Sequence, residues 1–218
     1  FDDLIAGWGH GKNTSSFVFL SKNGSYSEQD KIALPNSIYG ATNQNHLKTL
    51  SGDLDHDGDT DLAIQWTRFD PYYSGNYIQI LKNDGTGKFS DVTDSISSDP
   101  LIEAYAADYS EHWQLIDINN DGHLDIAGSI SKTSEPLIYL NDGQARFEIL
   151  ELSTDWVKHS GIGPDTIAYG DYDSDGILEL VKFSHSKATA LSTYSTNSFL
   201  LFEMTNPIGT GPNYATSA

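Results

Sequence analysis

The sequence contains one nine-residue acidic pattern three times, at residues 53–61 (DLDHDGDTD), 117–125 (DINNDGHLD) and 171–179 (DYDSDGILE). Each copy has oxygen-bearing side chains at positions 1, 3, 5 and 9 and glycine at position 6, and each runs directly into an apolar stretch. One Asp-Gly turn is common in any hairpin, but three copies in register are not expected by chance. The pattern therefore predicts a repeat fold in which a tight loop precedes a strand in every unit.

The spacing of the oxygen atoms in these loops indicates a binding site for a hard cation. Calcium takes about six to eight oxygen ligands, which alternate Asp or Asn residues can supply, and glycine permits the sharp turn between them. An EF-hand loop differs, because it requires Glu at position 12 and a helix after it. Here the twelfth position is Ile64, Gly128 or Lys182, and strand-like residues follow. We therefore expect about three calcium ions per chain, the alternative being plain solvated turns.

A second marker recurs in step with the acidic loops and predicts the fold. Asn83-Asp84-Gly85 is followed by Phe89, and Asn141-Asp142-Gly143 is followed likewise by Phe147. Asn/Asp-Gly pairs are strong hairpin turns, so each unit is expected to contain four strands, A to D, with the acidic loop between strands A and B. Repeats of about 40–60 residues with four strands are typical of propeller blades. We expect an all-β chain, a β-propeller of four-stranded blades with calcium-binding A–B loops, with about four blades or as part of a larger ring.

The repeat divides the chain into four units and a tail. The units are expected at about 1–45, 46–111, 112–164 and 165–205, and the C-terminal tail at 206–218. The first unit lacks strand A, although Asp3 aligns with the ninth loop position, and the last unit lacks a clear strand D. We therefore expect another chain or segment to complete the ring, with a closed four-bladed ring as the alternative.

These features resemble a known repeat family. A DxDxDGxxD loop, a DLAxG-type strand and an xLNDGxGxF hairpin follow one another as in FG-GAP/VCBS repeats. Those repeats form the calcium-bearing β-propellers of integrin α-subunit heads and of many secreted bacterial and fungal proteins. The resemblance extends to about residue 205. The side-chain calcium ligands that it implies are Asp53, Asp55, Asp57 and Asp61; Asp117, Asn119, Asp121 and Asp125; and Asp171, Asp173, Asp175 and Glu179.

The same resemblance implies a further ligand in each loop, the backbone carbonyl of position 7. This position is Asp59, His123 or Ile177, so its side chain is free to vary. Glu179 departs from the usual Asp, and the third site is therefore expected to differ in geometry or affinity.

Composition excludes several classes of partner. The net charge of -19 argues against nucleic acid, whose binding requires clusters of Lys and Arg, and against an anionic membrane surface. No apolar run is long enough to span a membrane, so membrane insertion is not expected. The absence of cysteine excludes disulfides, and metal loops are a plausible substitute in a calcium-rich setting. We expect a secreted, extracellular or cell-surface protein.

A surface for a ligand is expected on the long B–C and D–A connections, because binding residues concentrate on loops over a rigid scaffold. The segment after the first complete loop supplies Trp66, Arg68, Tyr72 and Tyr73, which suit recognition of carbohydrate or protein. For Trp66 the alternative is packing between blades.

The leading functional hypothesis is a binding or adhesion module, lectin-like or protein-binding, with structural calcium. No HExxH, GxSxG or similar catalytic spacing occurs, so no catalytic residue is assigned and an enzyme is not expected. The alternatives are the propeller domain of a polysaccharide-active enzyme and a purely structural module of a larger secreted protein.

Overall fold

The computed structural model describes residues 2–7, 15–71, 74–93, 96–97, 110–130, 136–150, 166–170, 179–185, 197–203 and 213–215. These residues form β-strands and turns, with a 3₁₀ turn at Glu28–Asp30, and none of them lies in an α-helix. The expected all-β class is therefore confirmed. The chain divides into two compact units, one of Phe1–Tyr109 with Asp142–Phe147 and one of Ser110–Asn141 with Glu148–Ala218.

The first unit contains two antiparallel sheets. The first sheet has the order β1-β2-β3, with β1 at Leu4–Ala6, β2 at Phe17–Phe19 and β3 at Lys31–Ala33. The second has the order β4-β5-β6-β7, with β4 at Gln44–Gly52, β5 at Asp61–Arg68, β6 at Ser74–Asn83 and β7 at Phe89–Asp91. A short strand, β8, follows at Ile96–Ser97. The four-stranded meander matches the expected blade, and the first sheet has the three strands expected of a unit without strand A.

The second unit contains two further sheets. Its first sheet runs in the order β12-β11-β10-β9, with β9 at Ser110–Ile116, β10 at Asp125–Ile130, β11 at Pro136–Asn141 and β12 at Phe147–Ile149. Its second runs in the order β13-β14-β15-β16, with β13 at Thr166–Gly170, β14 at Glu179–His185, β15 at Asn197–Glu203 and β16 at Asn213–Ala215. Strand β16 pairs with β15 from within the segment expected to be a tail. The last unit therefore has the strand D that the sequence did not reveal, because three residues carry too little pattern to be recognised.

The core of the first unit lies on one face of β5. Leu62, Ile64 and Trp66 occupy alternate positions of this strand and cluster with Val18 of β2 and Leu34 beyond β3. Side chains alternate between the two faces of a strand, so residues two apart share a face and can pack against the neighbouring sheet. This packing fixes the start of β5, and with it the end of the first acidic loop.

A half-buried histidine supports the same core. The ring of His46 lies 4.9 Å from the Trp66 ring, and its Nδ1 and Nε2 are 2.7 Å from Ser16 Oγ and 2.5 Å from Thr49 Oγ1. A Cβ atom at Gly7 would lie 2.0 Å from His46 Nδ1, so only glycine allows this approach. Burial lowers the pKa of His46 to about 4.

We predict that His46 makes the protein sensitive to mild acid. Between about pH 6.5 and 4 the unfolded chain protonates this histidine and the folded chain does not, so stability falls as the pH decreases, by up to about 3 kcal/mol. Urea unfolding in EGTA across this range should show a shallower loss for His46→Gln than for the wild type. The exposed loop residue His56 gives the matched control, and His56→Asn should keep the wild-type slope. Equal slopes in all three proteins would contradict the assignment.

Candidate metal centre

The first two acidic loops adopt the same backbone conformation. The fourth residue has a positive φ in both loops, 60° at His56 and 57° at Asn120, and so does the glycine at the sixth position, 88° at Gly58 and 90° at Gly122. No atom lies within 4 Å of a Cβ placed on either glycine, so glycine is required there by conformation rather than by space. Histidine and asparagine are among the residues that tolerate this region best, which explains the fourth position.

Backbone amides orient the carboxylates at the first and fifth positions. In the first loop the N–H of Gly58 donates to Asp53 Oδ2 at 3.1 Å, and the N–H of Asp59 donates to Asp57 Oδ1 at 3.0 Å. The second loop repeats both bonds: Gly122 N–H to Asp117 Oδ2 at 2.9 Å and His123 N–H to Asp121 Oδ1 at 2.9 Å. The two loops therefore hold these carboxylates in the same way.

The ninth-position carboxylate joins the loop to the neighbouring hairpin. Asp61 accepts the N–H of Leu54, inside the loop, at 3.0 Å and the N–H of Asn83, at the end of β6, at 2.8 Å. Its side chain is buried, and burial raises its pKa although the two amides oppose that effect. A buried carboxylate with two N–H donors is a structural link as well as an available metal ligand.

The same link occurs at the aligned positions of other units. Asp125 is buried and accepts the N–H of Ile118 at 2.9 Å and that of Asn141 at 2.8 Å. Burial raises the pKa of Asp125 to about 6. Asp3 accepts the N–H of Ser21, two residues beyond the end of β2, at 2.7 Å. This hydrogen bond places Asp3 at the ninth position of the repeat.

The first loop brings three carboxylates to one point. One oxygen each of Asp53, Asp55 and Asp61 lie within 4.8 Å of one another. Calcium–oxygen bonds are about 2.3–2.6 Å, so oxygens on opposite sides of one ion are up to about 5 Å apart. Asp53 Oδ1 and Asp55 Oδ1 are buried and accept no hydrogen bond from the described residues. This oxygen set therefore fits a calcium ion.

In the second loop an asparagine replaces one carboxylate. The Nδ2 of Asn119 donates to Asp121 Oδ2 at 2.8 Å, and its Oδ1 accepts the N–H of Asp121 at 3.2 Å. Asp117 Oδ1 accepts the same N–H at 3.0 Å. An amide oxygen is a good calcium ligand, and rotation of the Asn119 side chain would present it to an ion.

The third loop lies mostly outside the described residues, including Asp171, Asp173, Asp175 and Ile177. Glu179 is the first residue of β14, as Asp61 is of β5 and Asp125 of β10. The backbone of Glu179 pairs with Gly170 of β13 and Glu203 of β15. The repeat alignment at the ninth position therefore extends to the fourth sheet.

Of the residues expected to bind a ligand, Trp66 lies in the core and Arg68 lies at the surface. Trp66 has no exposed surface, and its Nε1 donates to Gln79 Oε1 at 2.9 Å, so the packing alternative holds and this residue cannot contact a ligand directly. Arg68 is partly exposed and stacks its guanidinium 5.0 Å from the centre of the Tyr39 ring. Tyr72 and Tyr73 lie outside the described residues.

Sequence reasoning missed one residue of the first loop's surroundings. Lys82 Nζ, from β6, contacts Asp55 Oδ2 and lies 3.3 Å from Asp57 Oδ2. No signal in the nine-residue pattern could indicate it, because the lysine comes from a different strand. The strand register, which sets β6 beside β5, brings it to the loop.

Blade-like antiparallel sheets, three of which start their second strand at the last residue of an acidic loop, define a repeat protein of the β-propeller class. The family model for an FG-GAP-like repeat matches residues 53–128 and 117–181, and each match begins at the first position of an acidic loop. The matches together span more than half of the chain, which therefore belongs to the FG-GAP-like repeat family. No curated protein matches the chain.

We predict that Asp125 stabilises the fold even without metal. Asp125→Ala leaves two buried N–H groups without their acceptor and should lower the free energy of unfolding by about 2–4 kcal/mol in urea with EGTA. Asp121→Ala is the matched control, because Asp121 is an exposed carboxylate of the same loop, and its cost should stay below about 1 kcal/mol. Equal losses in the two variants would show that the link to β11 is not structural.

Proposed function

We propose that this chain is a secreted or cell-surface β-propeller module that binds about three structural calcium ions through its acidic loops. The observation that carries the proposal is a pair of buried carboxylate oxygens in the three-carboxylate cluster, Asp53 Oδ1 and Asp55 Oδ1, to which no described residue donates a hydrogen bond. Buried anionic oxygens without partners cost several kcal/mol, and a divalent cation removes that cost.

The proposed ligands follow the repeat. Side chains at positions 1, 3, 5 and 9 and the carbonyl at position 7 would hold each ion. For the first two loops these residues are Asp53, Asp55, Asp57, Asp59 and Asp61, and Asp117, Asn119, Asp121, His123 and Asp125. For the third they are Asp171, Asp173, Asp175, Ile177 and Glu179. A bound ion would neutralise the like charges of the loop and cross-link the first two strands of the sheet.

We further propose that the module binds a carbohydrate or an extracellular protein at the end of the sheet where strand B connects to strand C. FG-GAP-like repeats typically form non-catalytic binding or structural modules. At this end of the second sheet Arg68 lies against Tyr39, next to Ile38, which is 55% exposed. A cation held on an aromatic ring beside an exposed apolar side chain is a favourable contact surface for sugar rings and for protein side chains. Neither nucleic acid nor membrane insertion is part of this proposal. In the described part of the chain no helix is long and apolar enough to cross a membrane.

The first sheet supports a role for an additional segment. Asp61 and Asp125 each accept an N–H from the second residue of their own loop, Leu54 and Ile118. Asp3 occupies the same position of the repeat, and a strand added at the edge of β1 would bring such a loop to it. We propose that another chain, or another segment of the same protein, completes the blade here.

We predict that calcium raises the melting temperature and binds in a stoichiometry of about three ions per chain. Thermal melts in calcium and in EGTA, with bound metal counted by atomic emission, test this directly. Asp53→Ala should lower the stoichiometry by one ion, whereas Asp142→Ala, which removes an exposed carboxylate of a hairpin turn, should leave it unchanged. No bound metal and no shift in melting temperature would reduce the loops to solvated turns.

We predict that Arg68 contributes to ligand binding. On glycan arrays and on a panel of purified extracellular matrix proteins, Arg68→Gln should lose about tenfold in affinity for whatever the wild type binds, as expected for a stacked Arg contact. Lys88→Gln removes the same charge from an exposed position on a hairpin turn and should bind as the wild type does. Equal binding by both variants would exclude this end of the sheet as the binding surface.

A further inference from the structure

A positively charged side chain from a neighbouring strand, Lys82, already lies against the first acidic loop. The ammonium group of Lys82 contacts Asp55 Oδ2 and lies 3.3 Å from Asp57 Oδ2, so it bridges two carboxylates of the loop. The Asp55 side chain is only 7% exposed, whereas that of Lys82 is 39% exposed. The lysine therefore reaches the loop from the solvent side and keeps an open path back into water.

Among the described residues, no lysine contacts the carboxylates of the second loop in this way. Asn83 and Asn141 occupy the same place in their sheets, since each donates its backbone N–H to the ninth-position aspartate of its loop. The residue before Asn83 is Lys82, and the residue before Asn141 is Leu140. The two loops therefore share their backbone and their ninth-position link but differ at this position by one positive charge.

We propose that Lys82 is a built-in counter-cation of the first loop, which holds Asp55 and Asp57 in place without metal and is exchanged for calcium when the ion binds. This inference rests on the proposed calcium binding. It assigns to Lys82 two opposite effects, stabilisation of the metal-free loop and a lower apparent affinity of that loop for calcium.

Exchange is required because the two cations compete for the same oxygen atoms. Asp55 and Asp57 are two of the proposed calcium ligands, and an ammonium group in contact with both would be within a few ångströms of the ion. Two cations this close repel each other strongly in a partly buried site. The four-carbon stem of lysine is flexible, and its head group is readily hydrated, so displacement needs only side-chain rotation.

The test measures calcium affinity separately at each loop. Gly58 and Gly122 donate to the first-position carboxylates of their loops, so their amide resonances in ¹⁵N-glycine-labelled protein report on the two loops individually. Calcium titrations of the wild type and Lys82→Met should show about a tenfold or greater rise in affinity at Gly58 and no change at Gly122. In EGTA, Lys82→Met should melt at a lower temperature than the wild type.

The reverse substitution tests the same idea at the other loop. Leu140→Lys should lower calcium affinity at Gly122 about tenfold and leave Gly58 unchanged. Lys88→Met, which removes an exposed lysine from the adjacent hairpin turn, should leave the calcium affinity at both Gly58 and Gly122 unchanged. If Lys82→Met does not fold, Leu140→Lys alone decides the outcome.

The possible results separate this inference from the proposal of calcium binding. Calcium binding at both loops with unchanged affinity in Lys82→Met and Leu140→Lys would overturn the role of Lys82 and leave calcium binding intact. Absence of calcium binding at both loops in every variant would overturn both. Calcium binding at Gly58 only after Lys82→Met would support the exchange in its strongest form.

Discussion

The buried carboxylate at the start of the second strand is the interaction on which the first two acidic loops depend. Asp61 and Asp125 each accept one N–H from their own loop and one from the end of the next strand. Both side chains have no exposed surface, so these amides are what makes the charge tolerable there. One side chain thereby fixes the loop against the hairpin.

Within the loop, some groups hold the backbone and others leave carboxylate oxygens available to a cation. In the first loop the amides of Gly58 and Asp59 orient the carboxylates at positions 1 and 5, while one oxygen each of positions 1, 3 and 9 lies near a common point. A loop arranged in this way pays little conformational entropy on taking up an ion, because the ordering is already achieved by hydrogen bonds. Its remaining cost is repulsion among like charges, and a bound cation of either kind, ammonium or calcium, reduces it.

The local features of this fold could be predicted from the sequence because they are encoded within a few consecutive residues. The nine-residue pattern and the Asn-Asp-Gly turns indicated the loops, the strand that starts at Asp61 and the hairpin before Phe89. Features that depend on strand register could not be predicted. Trp66 reads equally well as a core or a surface aromatic, and only its contact with Gln79 and His46 decides for the core.

The residue opposite the ninth position shows why a shared motif does not imply equal sites. Lys82 precedes Asn83, Leu140 precedes Asn141, and in the fourth sheet Glu203 pairs in register with Glu179. The same place in three sheets thus carries a positive, a neutral and a negative residue, while the loop pattern stays constant. Because the charge beside a cation site acts directly on its affinity, a change outside the motif is sufficient to give each loop its own affinity. If the loops bind calcium as proposed, a repeat protein of this kind can keep its fold constant through the motif and vary its affinity for the ion through one cross-strand position.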